Sequence, residues 1–209
     1  LSDEFVQQGW SMKRLIRAIV LSATYQQTST LTASRDEQDL RLGLFGVARV
    51  KRLEVESIWR TLNLLEHDPQ SGERRREPPY DMVREMEDLF DGADRDLIVP
   101  RRSASISSLQ ALFFMNSEHV KWSTEKLAAR LHRLPDDPAR IRQVFRLLYG
   151  REASKADVAR GEAFLKEWKI DASSLQKSRN KNAPPPEVLA RWQAYLQALL
   201  ATNEFMFIH

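Results

Sequence analysis

A chain of 209 residues that is 42% apolar and 29% charged can bury a substantial core and is too apolar for wholesale disorder. Its 32 Lys plus Arg stand against 29 Asp plus Glu, a scattered net charge of +3 that argues against a nucleic-acid binder, whose cations gather on one face. Cysteine is absent, which excludes disulfides, thiolate nucleophiles and zinc–thiolate sites, and no apolar run approaches the roughly 20 residues of a membrane span.

The opening Leu1-Ser2-Asp3-Glu4 has neither an initiator Met nor the regions of a signal peptide, and reads as the start of a piece of a longer protein. The first clear helix follows Gly9-Trp10, with Ser11 as its N-cap and Leu15, Ile16, Ile19 and Val20 as an apolar stripe. Lys13, Arg14 and Arg17 lie off that stripe. Near-helical spacing then predicts one long helix from about Asp36 to Leu65, with Gly43 and Gly46 as weak points inside it. Residues 68–79 are polar and hold Pro69, Gly72, Arg74-Arg75-Arg76 and Pro78-Pro79, the composition of a flexible linker.

Asp81 to Phe90 reads as a helix with Met82, Val83, Met86, Leu89 and Phe90 inward, ended by the acidic turn Asp91-Gly92-Ala93-Asp94. Leu97-Ile98-Val99 is the one candidate for a short strand. A helix begins near Ser105 or Ser107 and carries Leu109, Leu112, Phe113 and Met115; Ser117 is placed to cap the next, through Val120, Trp122, Leu127 and Leu131. Asp137-Pro138 supplies a cap and a first-turn proline for a helix stopped by Gly150. Ser154 to Asp157 matches a capping box. Residues 171–186 form a second polar linker, and Glu187 to about Thr202 is the last helix. The expected fold is therefore all-α: one domain over 1–209, about eight helices, with room for one short strand near Leu97.

Chemical motifs are sparse. His67, His119, His132 and His209 include no pair at the i, i+4 spacing of a helical metal site, and no Walker loop, G-x-S-x-G or G-x-G-x-x-G occurs. The best cluster is Asp88, Asp91, Asp94 and Asp96 beside Arg95, Arg101 and Arg102. Convergent carboxylates suit a calcium site or a general acid/base pair, and the plain alternative is a loop held by Arg–Asp pairs. Asp91, Asp94, Arg101 and Arg102 are the ligand-binding candidates, with Arg101 or Arg102 expected to bridge to Asp91, Asp94 or Asp96. No catalytic residue and no metal ligand is assigned.

Several segments, in order, resemble one family. They are Gly9-Trp10-Ser11-Met12-Lys13-Arg14-Leu15 running into Leu21-Ser22-Ala23-Thr24-Tyr25-Gln26-Gln27, then Lys51-Arg52-Leu53-Glu54-Val55-Glu56-Ser57-Ile58. Arg101-Arg102 with Leu109-Gln110-Ala111-Leu112-Phe113-Phe114-Met115-Asn116 follows, then Phe145-Arg146-Leu147-Leu148-Tyr149-Gly150-Arg151, and last Ala198-Leu199-Leu200-Ala201-Thr202-Asn203-Glu204-Phe205. Together they resemble a planctomycete-secreted, cytochrome-associated domain of unknown function. The resemblance implies an extracytoplasmic protein, a haem-binding domain upstream in the full-length polypeptide, and a setting of polysaccharide degradation. It implies no reaction. The segment between Leu65 and Tyr80 is shorter than that family's pattern, and C-x-x-C-H is missing, so no cofactor is expected in this segment itself.

These readings point to a non-catalytic interaction or scaffold module. Its partners would be other domains of the same polypeptide or a secreted protein; nucleic acid and a membrane span are not expected. The alternative is a polysaccharide-active or carbohydrate-binding domain. A concave pocket around Asp91, Asp94, Arg101 and Arg102 would favour the alternative, and an apolar patch the first reading.

Overall fold

A computed structural model describes residues 1–29, 37, 43–44, 46–68, 80–93, 105–169 and 184–208. The strand expected near Leu97, most of the two linkers, and Asp94, Arg101 and Arg102 lie outside the described residues. Among the described residues there are ten helices: α1 Ser2–Gln7, α2 Met12–Val20, α3 Val55–Glu66, α4 Tyr80–Leu89, α5 Ser108–Asn116, α6 Glu118–Leu131, α7 Asp137–Tyr149, α8 Lys155–Glu167, α9 Pro186–Leu200 and α10 Asn203–Met206. Two short strands, β1 Lys51–Arg52 and β2 Phe207–Ile208, pair in one sheet. The fold is predominantly all-α, and that ribbon is the one sheet among the described residues.

The chain divides into two compact units, one of residues 1–51 with 207–209 and one of residues 52–206. In the first, α1 and α2 are joined by a tight reversal in which Gly9 and Trp10 both take positive φ, 69° and 61°. Phe5 meets Trp10 edge-to-face at 5.3 Å. Ser11 caps α2 as its sequence predicts, its hydroxyl accepting from the Arg14 N–H at 3.5 Å. Leu15 and Val20 are half-buried, while Ile16 and Ile19 are exposed.

The second unit is built around α6, which packs against α3, α5 and α9. Its buried positions are His119 and Val120, Ser123 and Thr124, Leu127 and Ala128, then Leu131, an i, i+1, i+4, i+5 stripe that follows the helical repeat. The two hydroxyls on that stripe need acceptors, and each finds one in the preceding turn: Ser123 on the His119 carbonyl and Thr124 on the Val120 carbonyl, both at 2.7 Å. Val55, Ile58, Leu62 and Leu65 of α3 and Leu189, Trp192, Leu196 and Leu200 of α9 are buried as part of the core around α6. Removing a side chain such as Leu62 or Leu196, both fully buried, costs about 2–5 kcal/mol by transfer and cavity formation together.

Helix ends follow the predicted caps in part: Ser117 sits at the N-cap position of α6 but its side chain makes no capping hydrogen bond, and the cap of α7 is shifted by one residue. The N-cap of α7 is Asp136, whose Oδ1 accepts from the Ala139 N–H at 2.8 Å, so Asp137 and Pro138 occupy the first helical turn. Gly150 ends α7 in the left-handed region, φ 66°. The capping box of Ser154 and Asp157 is complete.

The long helix expected from Asp36 to Leu65 is not formed. Residues 46–54 carry no helix, and α3 starts at Val55. Their backbone groups have other partners: the Ala48 N–H donates to Thr28 O at 3.1 Å and the Leu53 N–H to Met206 O at 2.8 Å. Val50, one of the residues that kept the helical spacing, is exposed.

Candidate functional site

Helix α4 ends in a left-handed turn at Asp91, φ 54°. The Gly92 N–H donates back to the Glu87 carbonyl at 2.6 Å, the six-to-one bond of a Schellman closure. Glycine is the usual residue at that position, since a Cβ in this conformation is strained. Asp91 takes it, and its carboxylate is aimed at two other segments. Arg52 Nη2 in β1 donates to Asp91 Oδ2 and to the Phe90 carbonyl, both at 2.9 Å. The Ser105 N–H donates to Asp91 Oδ2 at 2.7 Å and its hydroxyl to the same oxygen at 2.8 Å. Gln110 of α5 closes the cluster, its amide nitrogen donating to Leu89 O at 3.0 Å and Ser105 O at 3.2 Å.

The electrostatics follow from these partners. The Ser105 N–H, more than any other group, holds the Asp91 carboxyl below its ordinary range, against a smaller upward push from burial. Asp91 is ionised at neutral pH and already accepts from three donors, so it is poorly placed to abstract a proton or bind a cation. The Arg52 side chain is 4% exposed and its guanidinium carbon lies 5.6 Å from the Phe90 ring centroid. Its Nε and Nη1 have no hydrogen-bond partner.

Of the four candidates read from the sequence, the structure places only Asp91 among the described residues. Among the described residues an arginine that bridges to it is Arg52, about forty positions upstream, which proximity in sequence could not find. The signal available was that Lys51-Arg52 belongs to a segment carrying the family resemblance.

Two other polar clusters are equally closed. Arg151 holds both oxygens of Glu204 through Nε and Nη2, and through Nη1 holds Asp157 Oδ2 at 2.8 Å. Asp157 also accepts from the Ser154 N–H and hydroxyl and from Arg160. Burial pushes the Asp157 carboxyl up, but the hydrogen bonds from Arg151 and Ser154 outweigh it and hold the acid well below the usual carboxylate range. The cluster ties the end of α7 to the starts of α8 and α10.

Between α3 and α6, His119 Nδ1 lies 3.1 Å from Glu66 Oε1, and the Ser123 hydroxyl lies 2.6 Å from the same oxygen, its one proton shared between Glu66 and the His119 carbonyl. The serine therefore meets the acid and not the free imidazole nitrogen, unlike a hydrolase triad. Burial pushes His119 down, although the Glu66 carboxylate alone would pull it up. Burial prevails on a structural ground: Nε2 has no partner, so an imidazolium would bury an unsatisfied N–H. No group of three or more metal-ligating side chains occurs among the described residues.

One exposed surface on α5 is apolar. Helix α5 buries Gln110, Phe113 and Phe114, with Phe114 edge-to-face against Phe90, Phe113 and Phe205. Its opposite side carries Leu109, Leu112 and Met115, which are 60%, 47% and 58% exposed, and Ile106 just before the helix is 76% exposed. These large apolar side chains share a segment, residues 103–117, that contains no charged residue.

The family model for PSD1, a protein of unknown function (DUF1553), matches residues 1–81 and 70–165. The chain belongs to this family. No curated protein and no solved structure matches it. The PSD1 match stops at 165, inside α8, yet α9 beyond it supplies Trp192, Leu196 and Leu200 to the core around α6. The packed unit is thus longer than the matched one.

Proposed function

We propose that this PSD1 chain is a non-catalytic interaction module of a larger secreted, cytochrome-associated protein. Its partner in this reading is another domain of the same polypeptide or a secreted protein. The observation that carries the proposal is the outer side of α5. A helix apolar on both sides is normally buried on both sides, and here only one is covered. The planctomycete setting and extracytoplasmic location rest on the sequence resemblance alone. A polysaccharide site centred on Asp91 is less well supported, because its carboxylate is taken up by Arg52 and Ser105.

Methionine oxidation tests the proposal. Met115 is exposed on the outer side and Met86 is fully buried, so Met86 serves as the internal control. In the dilute chain Met115 should oxidise readily and Met86 slowly. In the longer polypeptide, or beside its secreted partner, Met115 should become as protected as Met86. Equal oxidation of Met115 in every setting would contradict the interaction reading.

A further inference from the structure

We infer that α2 lies flat on an anionic lipid surface, with Met12, Ile16 and Ile19 toward the acyl chains and Lys13, Arg14 and Arg17 reaching the headgroups. This surface is separate from α5, and the inference stands independently of the interaction reading. Met12, Ile16 and Ile19 follow i, i+4, i+7 spacing, so they share one side of the helix, and all three are exposed. Leu15 and Val20 beside them are only half-buried, and no residue of α2 is buried. The rest of the circumference is Lys13, Arg14, Arg17 and Ala18, all exposed. Residues 5–29 hold those three cations and no acid. A cationic side opposite an apolar one is the pattern of a helix that lies in a membrane interface.

Charge complementarity names the occupant. A second copy would set these cations against their own kind, whereas anionic headgroups meet long Lys and Arg side chains at the edge of the apolar side. Trp10 and Tyr25, before and after the helix, are exposed, and rings with an apolar body and a polar tip gather at this depth. Trp10 stands at φ 61°, a conformation bulky residues rarely take, and its ring is not buried in return. Exposed apolar groups run from Val6 of α1 through Leu21 to Tyr25, a spread that suits a broad surface better than a groove the width of one helix. The backbone is also satisfied at both ends, as surroundings poor in water require. Ser11 caps the start; the Ser22 hydroxyl donates to Ile19 O at 2.7 Å and the Gln26 amide to Val20 O at 3.2 Å. Nine residues are too few to span a bilayer, so the contact is peripheral and reversible.

Co-sedimentation of the whole chain with vesicles of phosphatidylcholine alone, and of phosphatidylcholine with phosphatidylglycerol in equal parts, tests this. The chain should bind the anionic vesicles about tenfold more tightly or better, and raising the salt should weaken that binding. Ile16→Asp, or the milder Ile16→Ser if the first folds poorly, should weaken it about tenfold, and so should Lys13→Gln combined with Arg17→Gln. Leu64→Asp, at an exposed position on α3, should leave it unchanged. Equal binding to both vesicles, or binding untouched by Ile16→Asp and Ile16→Ser, overturns the inference. So does a chain that binds neither vesicle. In that case, Met12 shielded from oxidation in the longer polypeptide would assign α2 to an acidic protein groove instead, and Met12 open there would remove both partners.

Discussion

Arg52 joins two segments that are distant in sequence, and its side chain is almost wholly out of water. Arg52→Ala removes the partner of a partly buried carboxylate, the donor to Phe90 O and the stem packed near the Phe90 ring, and should cost about 3 kcal/mol in a urea titration. A loss below about 1 kcal/mol would show an exposed, inconsequential pair. Two phenols make the pH dependence specific. Burial raises Tyr149 and Tyr195 to about 12 from the ordinary value of 10.0. The sign follows directly: the unfolded phenols ionise first, so their contribution is complete below pH about 10 and is lost as the pH rises through about 12. Each should account for on the order of 2 kcal/mol across that window. Tyr149→Phe should flatten the alkaline slope of the urea midpoint, and a wild-type midpoint that does not fall there would contradict the burial of both rings.

At the scale of elements, sequence pattern and structure agree where local chemistry decides. The Ser11 cap, the complete box at Ser154 and Asp157, the stop at Gly150 and the buried stripe of α6 are all written in short spacings. They diverge where distant contacts decide. Residues 46–54 keep helical spacing but are drawn out of a helix by hydrogen bonds to Thr28 and Met206. α1 and α10 are six and four residues long, too short to show a period. α5 is apolar on every side, so no periodicity could tell that Phe113 and Phe114 point inward while Leu109, Leu112 and Met115 do not. The Asp91 cluster was legible only in part, because one cation that meets it among the described residues, Arg52, comes from β1. Gly161 in α8 gives a further test of packing between elements. A Cβ there would lie 2.6 Å from Tyr195 Oη and 2.8 Å from Ile141 Cδ1. Helix propensity alone would make Gly161→Ala stabilising by about 1 kcal/mol. Overpacking should reverse the sign, to a loss of about 1–3 kcal/mol. A rise in thermal midpoint would show that α8 stands farther from α7 and α9 than described.

At the scale of the molecule, the polar clusters behave as fastenings. Arg52–Asp91–Ser105 joins β1, α4 and the approach to α5; Arg151–Asp157–Glu204 joins α7, α8 and α10; His119–Glu66–Ser123 joins α3 and α6. The carboxylates and arginines in them already have protein partners, whereas the outer side of α5 is apolar and exposed. That distribution fits a module that binds through α5 better than one that performs chemistry at Asp91. The most direct test is the urea unfolding midpoint of Leu112→Asp, measured at a concentration where the chain is monomeric. If the outer side of α5 faces solvent and is kept for a partner, a carboxylate there changes stability by no more than about 0.5 kcal/mol. A loss of about 3 kcal/mol or more would mean that Leu112 is covered within the chain itself, and the α5 surface would not be available to any partner.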